Sequence, residues 1–170
     1  MNLALANLLA TVVTLAVAIS IGLWYLAPAL RRRPAAKALA VLIWFHVGRH
    51  VAMQIFSAAD IGGLAASTSA QRTIAFGDLA TAVLALGTVW TLRRPLPVAR
   101  LMAWLVAFVG TADLISATAV GISQKLTDTA SNWSWFILAF YVPFLWVTAI
   151  MLFWQLIARR NEPLADPASH

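Results

Sequence analysis

Apolar residues run along this chain in five stretches, each long enough at 1.5 Å per residue to cross a hydrocarbon layer ~30 Å thick. The first covers residues 3–27 and gives way to Pro28 and the run Arg31-Arg32-Arg33. The second, residues 35–59, closes in Asp60-Ile61-Gly62-Gly63, where paired glycines signal a turn. Thr68-Ser69-Ala70-Gln71 has capping-box spacing and places the start of the third stretch at residue 72. That stretch runs to residue 92 and ends in Arg93, Arg94, Pro95 and Pro97. The fourth, residues 98–122, follows a turn so short that spans three and four must form an antiparallel hairpin. A polar segment, residues 123–132, leads to the fifth, residues 133–158, which ends at Arg159-Arg160. The pattern predicts an all-α, polytopic bundle of five transmembrane helices forming one domain over residues 1–158. Residues 159–170 are expected to be a disordered cytoplasmic tail.

Composition agrees with that class. Of 170 residues, 62% are hydrophobic and 11% charged, and the mean hydropathy of +0.83 is far from a soluble domain's. Twelve Lys and Arg against six Asp and Glu would suggest nucleic acid if their positions were ignored. Their positions point to a membrane instead. Arg31, Arg32, Arg33 and Lys37 follow span one, Arg93, Arg94 and Arg100 join spans three and four, and Arg159 and Arg160 follow span five. With five spans all three groups fall on one side, which predicts the N-terminus outside and the C-terminus in the cytoplasm. Membrane lipids are the expected partners, and no nucleic acid. There is no cysteine, hence no disulfide framework and no thiolate metal site. The Ala-rich, cysteine-free composition fits a multi-pass protein of a bacterial cytoplasmic membrane.

The second span is unusual, because it carries His46, Arg49, His50 and Gln54 within its apolar run. At 100° per residue these four fall within a sector of roughly 140°, with Trp44, Val47, Val51 and Ile55 opposite. An arginine facing lipid at that depth costs at least ~2.5 kcal/mol, so the stripe is expected to face partners on other helices. Asp78 in span three, Asp113 in span four and Tyr141 in span five supply them. Counted along the helices, these groups with Arg49 and His50 lie between ~9 and ~15 Å below the outer ends of their spans. The expected site is therefore a buried polar cluster of Arg49, His50, Asp78 and Asp113, with His46 and Tyr141 beside it. Arg49 holds the two aspartates, and His50 is the group whose charge changes near neutral pH.

Four readings of such a cluster differ in chemistry, and the sequence names no catalytic residue. Arg, His and two Asp in one layer can relay a proton or hold a small anion or zwitterion, which favours a proton-linked or small-solute transport role. A pore built this way would need a homo-oligomer or a larger membrane complex. The same groups can close on one another and serve only packing, as in a structural or auxiliary subunit. His46 and His50, four residues apart, have the spacing of a metal or haem site, completed by Asp78 or Asp113. Arg49 between them opposes a dication, so no metal or cofactor is expected. Finally, His50 with an aspartate could act as acid and base on a lipid-like substrate, with Trp44, Trp104 and Trp146 lining an apolar pocket.

The segment FHVGRHVAMQIFSA, followed about twenty residues later by IAFGDLATAVLAL, resembles a pattern of small bacterial multi-pass membrane proteins with no assigned function. The likeness covers spans two and three and the Thr111-Ala112-Asp113-Leu114 segment. It implies that Arg49, His50, Gly77 and Asp78 belong to one signature, and it carries no activity.

Overall fold

The computed structural model describes residues 2–57, 66–94, 96–130 and 132–164. Among them there is no strand, and five helices are long and apolar enough to cross a membrane. These are α1 (Leu3–Arg31), α2 (Ala35–Phe56), α3 (Thr68–Arg93), α4 (Ala99–Ser123) and α5 (Asn132–Ala158). A single helical turn, Leu126–Thr129, precedes α5. Outward-facing positions are largely apolar, among them Val12, Val83, Leu101 and Ile150.

Helices α2 to α5 pack on one another, α3 against both α2 and α4, while α1 lies outside against α5 and the turn Leu126–Thr129. Between Leu3 and Ile21, α1 buries only Asn7 and Ala18. Asn7 fixes the contact, because its Nδ2 donates to the carbonyls of Thr127, at 2.7 Å, and Ala130, at 3.1 Å. Those two carbonyls sit where a short helix ends, and a side-chain donor is a natural means of satisfying such groups.

Helix α1 does not stop at Pro28. Proline lacks an N–H and crowds the carbonyl four residues back, and the chain absorbs this by widening the turn before it. Residues Gly22–Leu26 form a π turn in which the Ala27 N–H reaches the carbonyl of Gly22, and the helix continues to Arg31. The same device recurs in α5, where the π turn Phe136–Tyr141 precedes Pro143 and the Val142 N–H bonds the carbonyl of Ile137. Helix α3 begins at Thr68, four residues before the position expected from the capping box, because the cap is Ser67, whose side chain accepts from the Ala70 N–H. The glycine turn expected at residues 60–63 lies outside the described residues.

Helix α2 departs most from expectation. From Gly48 to Phe56 it tightens into a 3-10 helix, with three residues per turn in place of 3.6. Its buried residues there are Arg49, Ala52 and Ile55, spaced by three as that geometry requires.

The chain beyond α5 does not leave the bundle at once. Arg159 donates to the carbonyls of Leu30 and Arg33 at the end of α1, at 3.3 and 2.8 Å, and to the carboxylate of Glu162. Arg100 reaches the carbonyls of Arg159 and Glu162. Leu164 packs against the apolar core. The tail expected over residues 159–170 is thus tied down as far as residue 164, and residues 165–170 lie outside the described ones.

Candidate functional site

Among the described residues Arg49 is the largest fully buried side chain, with 0% of its side chain exposed. Its Nε donates to Asp78 Oδ1 at 2.5 Å and its Nη2 to Asp113 Oδ2 at 2.5 Å. Its Nη1 donates to the carbonyl of Gly110 at 2.8 Å. One guanidinium thereby joins α2, α3 and α4. The fork geometry explains the choice of arginine, since a lysine ammonium could not present three fixed donors to three helices.

Three glycines make the approach possible. A side chain at Gly77 would collide with the Asp113 carboxylate, so its absence lets that group lie against the backbone of α3. At Gly110 an added Cβ would stand 3.2 Å from Thr81 and 3.4 Å from both Arg49 Nη1 and His46 Nδ1. At Gly48 it would meet the Tyr141 hydroxyl at 2.6 Å. That hydroxyl donates to the carbonyl of Phe45 at 2.6 Å, beside the junction where α2 changes from α to 3-10 geometry. Sequence reasoning used Gly77 only as part of a signature, and assigned no site role to Gly48 or Gly110. The available signal was a glycine directly before a charge inside an apolar helix, as in Gly48-Arg49 and Gly77-Asp78.

Of the residues singled out from sequence, Arg49, Asp78 and Asp113 meet directly and Tyr141 lies nearby on α5. His50 does not join them. It is exposed, with its Nδ1 bonded to the carbonyl of Val47 at 2.9 Å. On the 3-10 turn the buried row is Arg49, Ala52 and Ile55, spaced by three, and His50 stands 120° round from it and faces out. His46, one turn earlier in regular α-helix, points inward and is buried, and neither of its ring nitrogens has a hydrogen-bond partner. The two histidines therefore do not face a common point, and a shared metal ion between them has no geometric basis.

A cavity of about 190 Å³ adjoins the cluster. Arg49, Asp78, Tyr141, Ser134 and Thr11 border it on the polar side. Thr118 and Thr127 also line it, and the rest of its wall is apolar, formed mainly by Ile55, Ile74, Leu114, Leu126, Leu138 and Leu145. No tryptophan lines it, so Trp44, Trp104 and Trp146 do not form the pocket expected of them. The carboxylates keep a little exposure, 12% of the side chain for Asp78 and 13% for Asp113. Formal charges do not cancel, since two carboxylates face one guanidinium.

Fold and site together define a class, an all-helical bundle of five membrane-length helices that encloses an arginine shared by two aspartates. The chain belongs to the family described as Domain of unknown function (DUF8737), whose match spans residues 6–157 and so takes in every group of the site. No curated protein and no solved structure matches it.

Proposed function

We propose that this is a proton-linked transport protein, or a transport subunit, for a small solute, inserted in a bacterial cytoplasmic membrane with its N-terminus outside. The orientation is supported by the basic groups. Arg33, Arg100 and Arg159 are joined by hydrogen bonds at one end of the bundle, where the other terminal arginines also fall, and such an end belongs in the cytoplasm.

One observation carries the transport reading. Two carboxylates share a single guanidinium at the edge of a cavity, which leaves one negative charge without a protein partner. In a medium of low dielectric such a charge is costly, and a proton or a cation must balance it. The group that changes charge in this reading is the aspartate pair, not His50.

The test is proton flux into proteoliposomes that hold a pH-sensitive dye, driven by an imposed potassium diffusion potential. The wild-type protein is expected to carry protons, and Asp113→Asn to abolish the flux, because with that carboxylate neutral Arg49 and Asp78 balance without a proton. Equal flux from both proteins would overturn the proposal. The second reading, a structural subunit, draws support from the three bonds that close around Arg49. It predicts that neutralising Arg49 and Asp78 together leaves function intact while either change alone unfolds the protein.

A further inference from the structure

The cavity beside the aspartates discriminates among ligands by charge. Arg49 cannot receive an anion, because its side chain has no exposed surface and Nε, Nη1 and Nη2 are each bonded to the protein. Asp78 is the charged group that both borders the cavity and keeps some of its side chain exposed. The titratable and charged groups around this point are Arg49 and His46 from α2, Asp78 from α3, Asp113 from α4 and Tyr141 from α5, while α1 adds only Thr11. The Tyr141 hydroxyl spends its proton on Phe45, so it can only accept from a ligand. Of the groups a charged ligand could reach, Asp78 is thus a negative charge and Tyr141 an acceptor, and the other polar groups of the wall are the neutral hydroxyls of Thr11, Thr118, Thr127 and Ser134. The remaining wall is mostly hydrocarbon, and the space exceeds that of a ~150 Å³ cavity known to take benzene.

We propose that the cavity binds a small apolar ammonium ion, an arylalkyl or alkyl amine in its protonated form, whose N–H groups donate to Asp78 and Tyr141 while its hydrocarbon part fills the space between α2 and α5. The ammonium supplies the positive charge that the aspartate pair lacks, so it competes with the proton, and binding one releases the other. This rests on the proton-linked reading above and names its solute class.

Titration calorimetry on the full-length protein in mild detergent, with phenethylammonium as the probe, tests it. 2-Phenylethanol serves as the neutral analogue and 3-phenylpropionate as the anion. The ammonium should bind at least about tenfold more tightly than the alcohol, the carboxylate should not bind, and the heat should vary with the buffer's ionisation enthalpy in the sense of proton release. Asp78→Asn should remove the preference for the ammonium. Ala117→Phe, which fills the cavity from α4 one turn beyond Asp113 and changes no charge, should remove binding of both ammonium and alcohol and keeps the test decisive where Asp78→Asn fails to fold. Equal binding of ammonium and alcohol, binding of the carboxylate, or undiminished binding by Ala117→Phe would overturn the proposal. Proton flux that depends on Asp113 without ammonium binding overturns this inference alone. Ammonium binding without flux overturns only the transport reading.

Discussion

The two halves of the bundle are built on different rules. Toward the end that carries Arg33, Arg100 and Arg159, the core is Leu30, Leu39, Leu42, Val89, Leu152 and Leu156 set against alanines such as Ala38, Ala85 and Ala103, all in regular α-helix. Large side chains meet small ones, the usual means of close association between apolar helices. The other half abandons regular geometry. There α2 tightens to a 3-10 helix, α5 widens to a π turn, and three glycines admit polar groups to positions a Cβ would block. The contrast teaches that apolar packing is served by repetition, whereas an ion-pair cluster needs individual groups placed at individual points. The 3-10 turn of α2 and the π turn of α5 occur where those groups converge, whereas the π turn of α1 at Gly22–Leu26, in the other half, answers Pro28.

The largest expected effect breaks the irregular half at its centre. Arg49→Met leaves two buried carboxylates facing each other without a cation, at a cost of ~3–5 kcal/mol. Thermal unfolding in detergent should register this as loss of most of the folded population at ordinary temperatures. The triple change Arg49→Met, Asp78→Asn, Asp113→Asn removes every charge and should recover much of the loss. A triple variant as unstable as Arg49→Met would mean that side-chain volume, not charge, sets the cost.

The matching change in the regular half is Leu42→Ala, at a fully buried position of α2. It should cost about 2 kcal/mol, near the bottom of the range for a deleted core leucine, since apolar contacts against lipid lose only packing. It should leave proton flux and ammonium binding unchanged. Altered flux would show that the two halves are coupled, which the separation of their cores does not suggest.

Gly77→Ala probes the join between sequence and site. The added methyl displaces the Asp113 carboxylate, which is bonded to Arg49, so the neighbour cannot yield without breaking an ion pair. A loss of ~1–3 kcal/mol is expected from overpacking, read by the same unfolding assay. An equal loss in an Asp113→Asn background would exclude the ion pair as its cause.

How much of this could be read in the sequence follows from the same division. Apolar run length and arginine position sufficed for five helices, because crossing length and chain direction leave few alternatives. Partnership of Arg49 with Asp78 and Asp113 followed from charge alone, since buried charges pair. Ends and registers were less accessible. Pro28 was taken as a terminator because a π turn leaves no mark of its own in composition, and Ser67 was passed over as a cap because Thr68 offered the same chemistry one residue later. Asn7 carries no signal in the sequence, because only the fold brings Thr127 and Ala130 to it. Periodicity was misleading at His50, where the assumption of 100° per residue failed after Gly48.

His50 therefore gives the smallest expected effect and the sharpest test of register. On a continuous α-helix it would share the sector of Arg49, and its replacement would cost a buried polar contact of about 1 kcal/mol or more. On the 3-10 helix it is exposed and bonds the carbonyl of Val47, three residues back. His50→Gln should then change stability by no more than ~0.5 kcal/mol, as surface substitutions do, and should leave the pH dependence of proton flux where it was. A shifted pH profile would place His50 beside the aspartates and restore the α-helical register. An unchanged one would leave the aspartate pair as the group whose charge is titrated, since His46 makes no hydrogen bond through which it could exchange a proton directly.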